Sequence, residues 1–205
     1  CNSYFIKLGK ELGSDKIIEY AKRFHLGEKA FEGYPQESTG YLMDESQRLG
    51  AAVANLSIGQ GETLVTPLQI ARITNVIAGG GIDKGVHILM EEEAADEQII
   101  SKNNAEKICE MMESVSDYGT AGFLEMKEAD GSVQAAVKTG TSEYVSNGVT
   151  ETNAWITGYT PCDNPEYTIT VLVEGGASGA TAAGPVFKQI IEYLKKSGSY
   201  SRPTL

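Results

Sequence analysis

Val133-Gln134-Ala135-Ala136-Val137-Lys138-Thr139-Gly140-Thr141 marks the point where the apolar period of this chain changes. Val133, Ala135 and Val137 alternate with polar or small residues, the pattern of a half-buried strand. Lys138-Thr139-Gly140-Thr141 then stands at the strand's end, ahead of a polar loop. Downstream, Trp155, Thr157 and Tyr159 alternate with Ala154, Ile156 and Gly158, which predicts a second strand. Tyr167 to Val173, rich in β-branched residues, predicts a third. Pro161, Asp163, Asn164 and Pro165 lie between the last two and make them a hairpin. Pro185 opens a closing helix with Val186, Phe187, Ile190, Ile191 and Leu194 on its buried side.

Upstream of Val133 the period is helical. Tyr4, Phe5, Leu8 and Leu12 recur at helical spacing and stop at Gly13. Ser14 or Asp15 can cap a second helix with Ile17, Tyr20, Ala21 and Phe24 on one face. Residues 27–62 are rich in Gly, Ser, Pro and polar types and read as an irregular excursion. Thr66-Pro67 is a sharp helix start, with a hydroxyl at the cap and a proline where no amide hydrogen is missed. That helix runs through Ile70, Ile73 and Ile77 to Gly79-Gly80-Gly81. Another follows Asn104, with Ala105, Ile108, Cys109 and Met112 as its buried stripe. Helices first, then antiparallel strands, then a helix packed on the sheet make an α+β arrangement. The mainly helical part covers 1–130, and the strands and closing helix cover 131–205.

Composition narrows the chemistry. Of 205 residues, 28 are Asp or Glu and 17 are Lys or Arg, for a net charge of −11. A nucleic-acid partner needs clustered cations, so that class is excluded. The acidic run Glu91 to Glu97 reads as a solvated loop or helix start. No apolar run is long enough to span a bilayer. Cys1, Cys109 and Cys162 form no metal spacing, and His25 and His87 sit apart from them. Cys109 reads as core. Neither a metal nor an organic cofactor is implied.

The Lys138-Thr139-Gly140-Thr141 segment has a physics of its own. A strand edge offers backbone N–H groups. Gly140 removes the side chain that would hold a ligand off the backbone, and Lys138 supplies positive charge. Thr139 and Thr141, two residues apart, put their hydroxyls on one face. Such a set can hold a carboxylate beside a carbonyl under attack.

Lys-Thr-Gly is one member of the signature set of penicillin-binding proteins and class A β-lactamases, with Ser-x-x-Lys and a Ser-x-Asn-type element. The chain opens Cys1-Asn2-Ser3-Tyr4-Phe5, which resembles the tail of Ser-Cys-Asn without its serine. Ser57-Ile58-Gly59-Gln60-Gly61 with Thr66-Pro67-Leu68-Gln69-Ile70-Ala71 resembles the same family. So do Gly119-Thr120-Ala121, Asn153-Ala154-Trp155-Ile156-Thr157-Gly158-Tyr159 and Ala182-Ala183-Gly184-Pro185-Val186-Phe187. In order and spacing these match a penicillin-binding protein transpeptidase domain from its middle to its C-terminus.

The resemblance implies a peptidoglycan D,D-transpeptidase, somewhat closer to the monofunctional, class B kind. In that family a serine attacks the D-Ala-D-Ala carbonyl of a stem peptide, and β-lactam antibiotics acylate the same serine. By resemblance Asn2 hydrogen-bonds the substrate amide and Lys138 orients the proton relay. Thr139 and Thr141 hold the substrate carboxylate, the Thr141 N–H is one oxyanion donor, and Gly140 lets the substrate lie on the strand. No Ser or Thr in the chain is followed three residues later by Lys, so the nucleophile and its base are missing. The resemblance therefore implies the C-terminal part of one transpeptidase domain, itself inactive. It would supply three of the five sheet strands. The exposed third-strand edge would call for the missing N-terminal half or a self-associating copy. It also implies a parent tethered at the extracytoplasmic face of the bacterial membrane in a cell-wall synthesis complex. A β-lactam sensor, a β-lactamase-like hydrolase and a non-catalytic relative remain as alternatives on the same fold.

Overall fold

A computed structural model of the chain describes residues 1–31, 35–47, 50–89 and 96–198. Helix α1 (Asn2–Leu12) and helix α2 (Ser14–Arg23) meet at Gly13, whose φ of 87° only glycine adopts cheaply. Gly13 itself occupies the cap of α2. Ser14 and Asp15, expected to cap it, lie inside its first turn, because the positive-φ bend ends α1 and starts α2 in one residue. The apolar stripe of α1 is not core: Tyr4, Phe5, Leu8 and Leu12 are all exposed.

The excursion at 27–62 is less irregular than its composition suggests. It holds a 3₁₀ turn at Glu45–Gln47 and a short helix, α3 (Ala51–Leu56). Six residues flanked by Gly50 and Gly59, with no side-chain cap, leave little periodic signal to read.

Helix α4 (Pro67–Ala78) starts where Thr66-Pro67 places it. Thr66 Oγ1 accepts from Gln69 N, and Gln69 Oε1 accepts from Thr66 N at 2.8 Å, a reciprocal capping box. The same Gln69 is buried and donates through Nε2 to Glu28 O at 2.8 Å and Thr39 O at 2.9 Å. One side chain thus both starts α4 and anchors the excursion onto it. After Gly79-Gly80-Gly81 a small antiparallel pair, β1 (Ile82–Asp83) with β2 (Glu97–Gln98), interrupts the helical part. Arg72 of α4 grips Asp83 through Nε at 2.8 Å and Nη2 at 2.7 Å. Within the acidic run only Asp96 and Glu97 fall among the described residues, and Glu97 belongs to β2. Helix α5 (Lys102–Asp117) begins two residues before Asn104, because Ser101 caps it by accepting from Asn104 N.

Strands β3 (Ala136–Ser146), β4 (Val149–Thr160) and β5 (Tyr167–Glu174) form one antiparallel sheet in the order β3-β4-β5. The boundaries of the first differ from those read in sequence. Val133 instead forms an isolated bridge with Lys127, and the strand opens at Ala136. Lys138-Thr139-Gly140-Thr141 lies well inside β3, not at its end. The polar stretch that follows continues the ladder to Ser146 and returns through Asn147-Gly148, both at positive φ. It looked like a loop because a hairpin arm extending beyond the core has no buried face to give it an apolar alternation.

The sheet is covered on both sides. Helix α6 (Gly184–Lys196) packs Phe187 and Ile191 against Ala135, Val137, Ala154 and Ile156. Val186 of α6 is exposed, contrary to expectation, because one residue from Phe187 it is turned by about 100° around the helix from that buried side chain. The opposite face carries Ala136 and Tyr159 against Met112, with Ile77, Ile108, Cys109 and Cys162 around them. Cys162 therefore shares the packing expected of Cys109 alone. All three cysteines are free.

Candidate active-site edge of the sheet

Register fixes which way each residue of β3 faces. Lys138 pairs with Thr157 and Gly140 with Trp155, whereas Thr139 pairs with Ile156 and Thr141 with Ala154. Ile156 and Ala154 belong to the core under α6, so the threonines lie on that face and Lys138 and Gly140 on the face toward α4 and α5. Behind Lys138, Thr157 Oγ1 lies 2.7 Å from Thr74 Oγ1 of α4 and 2.7 Å from Thr170 Oγ1 of β5. This row of hydroxyls ties α4 to the sheet at that point.

The backbone of β3 has one side on β4 and, among the described strands, none on the other. In an antiparallel ladder the N–H and C=O of one residue point the same way. Thr141 O accepts from the side chain of Gln60 at 2.8 Å, a partner outside the ladder, so Thr141 is an outward-facing residue. Thr139, two residues earlier, shares that direction, and its carbonyl accepts from Lys138 Nζ. The Thr141 N–H therefore also points to the open edge. Lys138 keeps part of its surface in solvent, and desolvation of its ammonium lowers its pKa from the ordinary lysine range.

The two threonine hydroxyls already have protein partners. Thr139 Oγ1 lies 2.9 Å from Thr120 Oγ1, and Thr141 Oγ1 accepts from Gly179 N at 3.3 Å. A hydroxyl that accepts keeps its own proton to give, so Thr141 retains a donor, and the Thr120–Thr139 pair retains one between them.

The glycines differ in what holds them. A Cβ on Gly140 would meet Trp155 Cβ at 3.4 Å and nothing else within 4 Å, so the fold itself does not demand glycine there. A Cβ on Gly179 would fall 2.1 Å from Trp155 O and 2.5 Å from Gly140 O. Gly179 is thus the residue that lets the turn before α6 lie flat on the strand.

Asn2 stands exposed in the first turn of α1. Its helix reaches the β3 edge through α3: a Cβ on Gly9 would sit 2.0 Å from Ser57 Oγ, and the turn after Ser57 delivers Gln60 to Thr141. Lys138, Thr139, Gly140 and Thr141 thus sit together, and Asn2 is linked to them through packing. Sequence reasoning gave Gln60, Thr120 and Gly179 no role. The first two fall in stretches that resemble the family, so a signal existed. Gly179 carried none.

A profile described as the penicillin binding protein transpeptidase domain matches residues 1–192. The chain belongs to the penicillin-binding protein transpeptidase family. Its relatives include the peptidoglycan D,D-transpeptidase PbpA of Mycolicibacterium smegmatis, 29% identical over 97% of this chain and 43% of that protein. A solved complex of penicillin-binding protein PBP2 with MreC from Helicobacter pylori superposes with a TM-score of 0.84, at 26% identity, covering 97% of this chain and 39% of that one. The ceftriaxone acyl-enzyme of penicillin-binding protein A from M. tuberculosis gives a TM-score of 0.73 at 28% identity, covering 94% of this chain and 46% of that one. The chain therefore spans less than half the length of these relatives. The α+β sheet of three strands, with helices on both faces, is the transpeptidase fold in part.

Proposed function

We propose that this chain forms the carboxylate-binding and oxyanion side of a serine-type peptidoglycan D,D-transpeptidase, of the class B kind. The observation that carries the reading is the open edge of β3, where the Thr141 N–H points outward next to the Lys138 ammonium. A stem peptide laid along that edge would place its terminal carboxylate near the Thr139 and Thr141 hydroxyls, each of which has a proton available directly or through Thr120.

In the reaction a serine Oγ, supplied by sequence outside this chain, attacks the penultimate D-Ala carbonyl carbon. The Thr141 N–H meets the negative charge that develops on the carbonyl oxygen. The peptide C–N bond breaks, and terminal D-Ala leaves with a proton on its nitrogen. An amine of a neighbouring stem peptide then takes the acyl group and frees the serine. Asn2 holds the substrate amide, Lys138 holds positive charge beside the proton relay, and Gly140 leaves the strand surface bare. β-Lactams enter the same site as substrate mimics, which the acyl-enzyme of the M. tuberculosis relative supports. A seat within a wall-synthesis complex is supported by the PBP2–MreC likeness, and a membrane tether at the extracytoplasmic face belongs to the same reading. No described helix here is long and apolar enough to cross a membrane.

The test is covalent labelling of the full-length protein by a fluorescent penicillin. One label per polypeptide, lost when Lys138 is replaced by Met, is expected. Residues 1–205 alone, without a Ser-x-x-Lys, stay unlabelled. A full-length protein that takes up no label ends the reading.

A further inference from the structure

The Gln60 side chain is held rigidly at its root. Ser57 closes α3 and donates through Oγ to Val53 O at 2.6 Å, and Gln60 N donates back to Asn55 O at 2.9 Å. Gly59 and Gly61 flank Gln60 at φ 72° and 96°, so two glycines in the left-handed region fold the turn around it. On the other side of α3, Gly9 of α1 approaches Ser57 so closely that no larger residue fits. α1 carries Asn2. The helix bearing Asn2 therefore connects through Gly9, Ser57 and Gln60 to Thr141 of β3, ending on the 2.8 Å bond from Gln60 Nε2.

That bond falls on the residue whose N–H the proposed reaction uses. An amide donor on Thr141 O fixes the backbone torsions of Thr141, and with them the aim of its N–H. It also fixes the separation between the helix bearing Asn2 and the strand bearing Lys138. A carbonyl oxygen has two lone pairs, so one remains for the amide of a peptide laid along the edge. We propose that Gln60 is a positioning residue for acyl transfer, holding the Thr141 carbonyl and so setting the aim of the oxyanion donor. The proposal rests on the transpeptidase reading above.

The experiment uses the full-length protein and a fluorescent penicillin, with noncovalent binding and the acylation rate constant measured separately. Gln60→Glu keeps the length of the side chain but replaces its donor with an acceptor. Gln60→Ala removes it. We expect acylation to slow about tenfold to a hundredfold in both, since an error of about 1 Å in a reacting group has effects of that size. Noncovalent binding should change less, and melting temperatures should stay near wild type because the side chain is partly exposed. Wild-type rates in both variants would overturn the role of Gln60 alone. So would a slowing that parallels loss of melting temperature and vanishes on cooling. A wild-type protein that takes no label overturns the transpeptidase reading instead.

Discussion

Gly179 lies against Gly140 so closely that a Cβ on it would sit 2.5 Å from the Gly140 carbonyl oxygen, while a Cβ on Gly140 would meet an ordinary contact at 3.4 Å. Two neighbouring glycines thus have opposite reasons for being glycine. Gly179→Ala forces backbone apart and should destabilise the full-length protein by about 1–3 kcal/mol, the range for overpacking, and lower its penicillin labelling with it. Gly140→Ala should leave the melting temperature within a degree or two, about 0.5 kcal/mol, yet slow acylation, because its methyl would project onto the surface that the proposed function gives to substrate. Thermal melts alongside labelling rates separate the two. Equal melting losses in both variants would contradict the contrast.

The Gln69 side chain makes three hydrogen bonds from a position 1% exposed. Gln69→Ala strands the carbonyls of Glu28 and Thr39 and the Thr66 N–H, for an expected loss of about 2 kcal/mol or more. Thr66→Ala removes one cap bond and should cost about 1 kcal/mol. Urea midpoints of the two variants give the order, and a smaller shift for Gln69→Ala than for Thr66→Ala would show that the excursion is anchored elsewhere.

Lys138 carries a pKa lowered by burial. The charged form is penalised in the fold, so between that lowered value and the ordinary lysine value of about 10.4 the unfolded chain holds the extra proton. Stability contributed by this group therefore rises with pH across that window. Under the proposed function activity should move the other way, because acylation would depend on the ammonium. Labelling should fall on the alkaline side at a pH below the ordinary lysine pKa, and Lys138→Arg should move that limb upward while lowering the rate. An alkaline limb unmoved by the arginine would assign it to another group.

β5 leaves one side of its ladder unpaired among the described strands, and Ile169, Val171 and Val173 on it are only partly buried. An unpaired apolar edge recruits another strand. Residues 1–205 expressed alone should associate, and light scattering after size-exclusion chromatography at micromolar concentration reads this directly. A clean monomer would mean the edge is protected.

Much of this architecture is legible in the residues. Thr66-Pro67, the Gly79-Gly80-Gly81 stop and the alternation of Trp155 to Tyr159 are local signals, and each governs the element it predicts. What the sequence hides is set by long-range contact. The arm beyond Thr141 is a strand because Val149–Asn153 pairs with it, though neither side of that arm has an apolar rhythm. Gly13 caps α2 because α1 ends in the same residue. Lys138-Thr139-Gly140-Thr141 could be singled out by its chemistry, but its clamps, Gln60, Thr120 and Gly179, come from as far as 81 residues away. Which side chain meets the strand from such a distance is decided by packing.

The hairpin past Thr141 has a use that its polar composition conceals. Side chains along a strand alternate, so sliding β3 by one position against β4 would exchange Lys138 for Thr139 on the face toward α4. Residues Ser142–Ser146 lengthen the ladder beyond the four residues that the proposed function uses, and the tight Asn147-Gly148 bend fixes its phase. A stretch with no part in the proposed reaction thereby acts as a ratchet pawl, keeping the ammonium from being traded for a hydroxyl.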